Sequence, residues 1–482
     1  RAFPTLDGTT RFVDIDGNGV VDTLKSTSRG FQVLKNKKTE GWDSPAFVNK
    51  SAKNIGQVNF EDLHYHLADM TGDGLMDIVK IGSGRIDYWP SLGNGLFGDQ
   101  QTMFNAPRIY NLQNHLEKVF FIDVNGSGCA DLIYYDDGVF YVRYNKNGTV
   151  YADALEFNLL PKPLEGTLRA VDFYGNGKTG ILYNTYTASG IQYAYVTFGS
   201  TATGFNLNEV SNGFGLVSEI HYKPAITYYL EDKINNRKWT THFPFPIQVV
   251  SQIKETDIVT GLVNQSDVIY HDAHFNSSLR QFQGFGEVEK IEKGDESCPD
   301  KKMVHHYLMN QENVSGNTKN HAILNGKLEK VETFALDGTV LEDEPFTREV
   351  SLYTVKNIQP SEDDTQRVAI FLDTYTQTHL ERSADLRTEQ KQYEYDAFGN
   401  VTLEKINAFG IENGVAVPSI SSEIKYQYAI NETKWILDRI AVVAVYDSNG
   451  IIRGETRKYY DGTAFKGLAL GKVDKGLEVR EA

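Results

Sequence analysis

Asp14, Asp16, Asn18 and Asp22 place side-chain oxygens at positions one, three, five and nine of a nine-residue stretch, with Gly17 and Gly19 at positions four and six. Oxygens at alternate positions around a glycine-opened turn suit a hard cation such as Ca²⁺, which takes about six to eight oxygen ligands. The Val20 carbonyl adds a backbone ligand. The pattern returns three times. Its second copy offers Asp69, Thr71, Asp73 and Asp77, its third Asp123, Asn125, Ser127 and Asp131, and its fourth starts at Asp172. The first two copies carry three carboxylates each and the third two, so the metal expectation declines along the chain. Copy four, with Tyr174 at position three and Gly180 at position nine, is expected to hold no ion. The stretch is shorter than the twelve-residue EF-hand loop. A purely structural reading competes: Asp and Asn side chains also hold tight turns by bonding to backbone amides. Ca²⁺ is the one cofactor the sequence suggests.

Other residue types give weaker chemistry. His64-Tyr65-His66 would set two imidazoles on one strand face, and His271 with His274, or His305-His306, are further candidate ligands. None has a Cys or carboxylate at zinc-site spacing, so all are expected to be packing or surface residues. Tyr88, Trp89, Tyr141 and Tyr144 suit either a sugar-stacking face or a core, and core packing is the simpler expectation. The sequence holds no G-x-S-x-G, no H-E-x-x-H and no phosphate-cradling loop. It reads as a non-enzyme.

The elements that carry the loops follow from their spacing. The copies start at residues 14, 69, 123 and 172, close to the roughly 40–50 residues of a propeller blade. After each loop come an apolar run, a Gly-bearing turn and a second run: Ile78-Val79-Lys80-Ile81, Ser83-Gly84, then Ile86-Asp87-Tyr88-Trp89 in copy two. Each unit is thus a strand, a hairpin turn and a second strand, preceded by the strand that feeds the loop. One unit cannot bury both faces, so units must pack on one another. With 42 Gly, 27 Tyr and 26 Phe, the composition favours short strands and turns, and helical periodicity is nearly absent.

The 482 residues suffice for two or three domains, since single cores stop growing near roughly 250–300 residues. A net charge of −16 argues against nucleic acid as a partner. Cys129 and Cys298 are too few for a disulfide framework. No apolar run approaches the roughly 20 residues of a membrane span, so direct membrane insertion is not expected. The chain opens on Arg1 rather than Met, which suggests a processed or truncated piece of something larger. Three regions are expected: blades with Asp-rich loops over 1–210, a β-rich middle over 211–345, and strands over 346–482. In the middle, Leu216–Tyr222 and Gly286–Ile291 alternate as half-buried strands, Phe243-Pro244-Phe245-Pro246 forbids a helix, and 294–302 reads as a surface loop. The last region carries Tyr395-Asp396-Ala397-Phe398-Gly399-Asn400, Tyr446-Asp447-Ser448-Asn449-Gly450 and Tyr459-Tyr460-Asp461-Gly462, where Tyr can cover a neighbouring hairpin while Asp and Gly hold the turn.

The nine-residue loops and their strands resemble the VCBS or FG-GAP repeats of integrin-type β-propellers. Four copies are fewer than most closed propellers of that kind use, which suggests blades missing or supplied from elsewhere. The Tyr-Asp turns resemble YD or RHS repeats, whose strands wind into a β-shell. The order of blades, then Gly213-Phe214-Gly215, Phe243-Pro244-Phe245-Pro246 and Gln281-Phe282-Gln283-Gly284-Phe285-Gly286, then Tyr-Asp turns, resembles the B component of bacterial Tc (toxin complex) insecticidal toxins. That resemblance implies an all-β chain: part of a β-propeller, a β-rich middle and the start of an RHS-like shell. It implies a secreted virulence factor whose propeller docks on a pore-forming A component and gates it. It also implies a shell that joins a C component to enclose a toxic effector. The alternative from the residues alone is a calcium-dependent adhesion or glycan-binding propeller.

Overall fold

In the computed structural model, which describes residues 7–158, 161–198, 206–240, 246–276, 281–309, 321–359, 367–383 and 385–482, every Asp-containing stretch joins the first strand of a sheet to its second. The first sheet runs in order Thr10–Val13, Asp22–Ser26, Gly30–Leu34 and Ala46–Asn49. The second and third repeat that order with Tyr65–Ala68, Asp77–Gly82, Arg85–Trp89 and Gln101–Met103, then Val119–Ile122, Asp131–Asp136, Val139–Arg143 and Leu155–Asn158. A fourth has Arg169–Val171, Gly180–Thr187 and Gly190–Val196. All are antiparallel meanders, and the register at the loop is the same in each. Val13 faces Asp22, Ala68 faces Asp77, Ile122 faces Asp131 and Val171 faces Gly180.

The second strand of the first three sheets is central and largely buried on both faces, which is why in the second and third it reads as a nearly continuous apolar run. Its residues feed cores shared between consecutive sheets. Leu24, Phe31 and Phe60 pack with Ile78 and Trp89 between the first and second. Val79, Ile81 and Tyr88 pack with Phe121, Leu132 and Tyr151 between the second and third. Ile133, Phe140 and Val142 pack with Ile181, Tyr183 and Phe198 between the third and fourth. The packing of one sheet on the next is that of propeller blades.

The chain divides into two compact units, Arg1–Ser251 with His274–Phe282, and Gln252–Ala273 with Gln283–Ala482. The first holds the four blades. The second is a run of long antiparallel strands, each paired with its neighbour in sequence from Asp300–Leu308 through Ile452–Tyr460. Residues 293–299 form an exposed loop, while 300–302, expected within it, open the strand Asp300–Leu308. The Tyr-Asp turns work as their residue types suggest. Asp396 accepts the N–H groups of Phe398 and Asn400, both at 2.9 Å, and Asp447 accepts those of Asn449 and Ile451 at 2.9 and 3.0 Å. Tyr353, Tyr395, Tyr428 and Tyr460 donate their hydroxyls to the carbonyls of Leu328, Leu372, Val401 and Ile440 at 2.7–2.9 Å.

One helix departs from the all-strand expectation, Ala225–Ile234. Its buried stripe is Ala225, Tyr228 and Asp232, and a stripe containing an Asp hides the apolar periodicity that would announce a helix. Asp232 is accommodated by the Trp239 indole N–H at 2.7 Å. Of the Phe243-Pro244-Phe245-Pro246 stretch, the first three residues lie outside the described residues.

Phe140 is fully buried between Tyr135 and Phe198, with ring centroids at 4.9 and 5.1 Å. Phe140→Ala should destabilise the blade unit by about 3–5 kcal/mol, read as a lower urea midpoint for the transition reported by Trp89 fluorescence. A midpoint equal to that of the unmutated chain would contradict a shared core between the third and fourth blades.

Candidate functional site

The four loops are built from the backbone outward. Glycines at positions four and six adopt left-handed φ in every copy, +72° and +79° at Gly17 and Gly19 and +64° and +83° at Gly175 and Gly177. That conformation turns successive N–H groups inward. The position-one carboxylate collects them. Asp14 accepts from Asn18 and Gly19 at 3.1 and 2.7 Å, Asp69 from Gly72 and Gly74 at 2.7 Å each. Asp123 accepts from Gly126 and Gly128 at 2.8 Å each, and Asp172 from Asn176 and Gly177 at 3.1 and 2.8 Å. Position five closes a smaller turn onto the position-seven N–H: Asn18 to Val20, Asp73 to Leu75, Ser127 to Cys129 and Asn176 to Lys178.

The position-nine carboxylate has a different task. Asp22, Asp77 and Asp131 have no exposed surface. One oxygen of each accepts the position-two N–H, from Ile15 at 3.3 Å, Met70 at 2.9 Å and Val124 at 3.1 Å. The other accepts an N–H from beyond the third strand, from Asn36 at 2.8 Å, Ser91 at 2.7 Å and Asn145 at 2.7 Å. Burial pushes the Asp22 carboxyl up to about 6 and those of Asp77 and Asp131 up to about 7, against the pull of these N–H bonds. Consecutive loops are also tied to one another: the Ala130 N–H donates to the Asp69 carbonyl at 2.6 Å and the Thr179 N–H to the Asp123 carbonyl at 3.0 Å.

Copy four replaces the missing carboxylate with a phenol. A Cβ on Gly180 would stand 2.6 Å from the Tyr195 ring and hydroxyl. Glycine thus leaves room for the Tyr195 hydroxyl, which accepts the Phe173 N–H at 3.5 Å and donates to the Val171 carbonyl at 3.1 Å. Phe173 is the position-two residue, so Tyr195 meets the N–H that Asp meets in the other copies. Sequence reasoning missed this substitution because the phenol comes from a different strand.

Among the described residues, only the first loop brings three carboxylates together: one oxygen from each of Asp14, Asp16 and Asp22 lies within 4.8 Å of the others. Asp16 is 6% exposed and its Oδ1 lacks a hydrogen-bond partner, while its Oδ2 lies 2.7 Å from the Lys35 ammonium. Asp69, Asp73 and Asp77 do not converge in this way; Asp123, Ser127 and Asp131 serve the turn as described, and Asn125 accepts the Ser127 N–H at 2.8 Å. Thr71 Oγ1 reaches only Asp69, at 3.5 Å.

The remaining candidates separate. His64 stands before its strand and meets Asp62 at 2.7 Å, while His66 packs on Phe121 and burial pushes it down to about 4. The two imidazoles therefore do not act together. Tyr88 and Trp89 are core residues, at 6% and 2% exposure. Tyr134 and Tyr141 stack across a strand pair. No helix among the described residues is long and apolar enough to cross a membrane.

The sequence matches no curated protein. Residues 143–312 match the family described as the insecticide toxin TcdB middle/N-terminal region. A solved Photorhabdus luminescens Tc holotoxin pore carrying a mutated TccC3 is similar at a TM-score of 0.79 and 16% identity, over 98% of this chain and 26% of that one. A TcdB2-TccC3 complex is similar at a TM-score of 0.73 and 14% identity, over 98% and 33%. The same complex without its hypervariable C-terminal region gives 0.74 and 14%, over 98% and 32%. The chain thus spans about a quarter to a third of the length of the structures it matches.

The buried carboxylates set a pH dependence. Folding raises Asp77 and Asp131 from 3.8 to about 7, so the folded unit binds protons that the unfolded chain has released. Stability from these groups is therefore greatest near the unfolded pKa and declines as pH rises through about 7. Urea midpoints of the blade transition should fall between about pH 5 and about pH 8, and Asp77→Asn with Asp131→Asn should flatten that slope; an unchanged slope would refute the assignment. With the loops assigned to blade closure, the resemblance read from the sequence is borne out: the chain is similar to the B component of bacterial Tc toxins, in sequence over 143–312 and in fold over nearly all its length.

Proposed function

We propose that this chain is a non-catalytic structural subunit of a secreted bacterial toxin complex. Its blades dock on a pore-forming component and gate it, and its second unit joins a C-type component in enclosing a toxic effector. The observation that carries this reading is the fold match over 98% of the chain to a Tc holotoxin pore, together with the TcdB match over 143–312. The physics of both units suits it. The blades pack on one another through three successive apolar cores, which gives the unit a continuous body to dock with. Long strands paired in sequence order satisfy their backbone groups along a continuous surface, which is what a wall around a cargo needs. The Tyr-Asp turns and the nine-residue loops support this reading through their resemblance to RHS and VCBS repeats.

The test is assembly. The chain, in the context of its whole protein and co-expressed with a C-type component, should co-elute with that component and bind a pore-forming A-type protein. Failure of the assembled B–C pair to bind any A-type pore would overturn the docking role, and failure to co-elute would overturn the enclosing one.

Calcium belongs to the same reading as a stabiliser of the first blade. Asp14, Asp16 and Asp22 converge, and Asp16 keeps one oxygen uncommitted. Titrating Ca²⁺ into chelator-treated protein should give one site that Asp16→Asn removes. Absence of both binding heat and a rise in melting temperature would end the calcium assignment.

A further inference from the structure

The second unit carries a row of imidazoles and carboxylates that the loops do not explain. His271 comes from the strand Val263–Asn276, Glu287 and Glu289 from Gln281–Glu292, and His306 from Asp300–Leu308. Glu287 and Glu289 are two apart on one strand and so share a face. Glu287 pairs directly with His306 across the ladder. The His306 Nδ1 lies 3.3 Å from Glu287 Oε2, and the His271 Nε2 lies 3.6 Å from Glu289 Oε1. One ligand atom from each of His271, Glu287 and Glu289 lies within 4.8 Å of the other two. His271 is 9% exposed.

We propose that His271, Glu287 and Glu289 bind one divalent transition-metal ion of the zinc class, with solvent completing its coordination. The donor chemistry selects the ion: imidazole nitrogen with carboxylate oxygen suits zinc and its neighbours, whereas calcium takes oxygens alone. The spacing agrees. Metal–ligand bonds of about 2.0–2.2 Å put neighbouring donors of a tetrahedron about 3.3–3.6 Å apart, and the His271 Nε2–Glu289 Oε1 separation is 3.6 Å. An ion here cross-links the adjacent strands Val263–Asn276 and Gln281–Glu292 through their side chains, adding a tie to the backbone ladder.

These residues lack zinc-site spacing in sequence because the register, not a local turn, brings them together. The inference is independent of the toxin-complex reading.

The test uses the full chain after chelator treatment, titrated with Zn²⁺ alone and, separately, with Co²⁺. One zinc per chain should bind, and His271→Ala and the isosteric Glu289→Gln should each weaken it by about tenfold or more. His221→Ala, at an exposed position, should leave the affinity unchanged. Cobalt should give visible ligand-field bands without a near-ultraviolet thiolate band, which separates this site from Cys129 and Cys298. No saturable zinc binding, wild-type affinity in Glu289→Gln, or a thiolate band would each overturn the site.

Discussion

A carboxylate without exposed surface, accepting one N–H from its own loop and one from beyond the third strand, is the constraint on which the blade unit depends. Asp22, Asp77 and Asp131 each hold these two points together. That fixes where the first strand stops, which residue opens the second, and where the chain leaves the third. The cores follow from it. A slip of one residue would turn Leu24, Ile78 or Leu132 away from the neighbouring blade, and those residues are fully buried between blades.

Such a brace is costly and specific. Burying a carboxylate raises its pKa and works against folding at neutral pH, while the two N–H groups it satisfies would be equally costly left unpaired. The fourth blade keeps one of these two bonds without a charge: the neutral Tyr195 hydroxyl meets the position-two N–H once Gly180 makes space. The first blade shows the opposite excess. There a third carboxylate, Asp16, joins Asp14 and Asp22 with Lys35 alongside, and concentrated negative charge of that kind is what a cation relieves.

The second unit solves its pairing problem by repetition. Tyrosine hydroxyls reach the carbonyls of strands 20 to 27 residues earlier, and Asp side chains close the turns between. Because neighbours in sequence are neighbours in the sheet, ionisable residues on successive strands align in rows. His271, Glu289, Glu287 and His306 form one such row.

Alternation, apolar runs and a recurring nine-residue loop, all encoded within a few tens of residues, determined the all-β class, the blade repeat and the Tyr-Asp turns. These are local properties, set by strand period, glycine φ and the reach of Asp to nearby amides. What lay beyond that reach was decided by tertiary structure. The N–H that each position-nine carboxylate takes from beyond the third strand, Tyr195 standing in for an Asp, Trp239 meeting the Asp in the buried stripe of the helix Ala225–Ile234, and the meeting of His271 with two glutamates all join different elements of the fold. Spacing along the chain carries no record of such meetings, because the sheet register that creates them is a property of the packed fold.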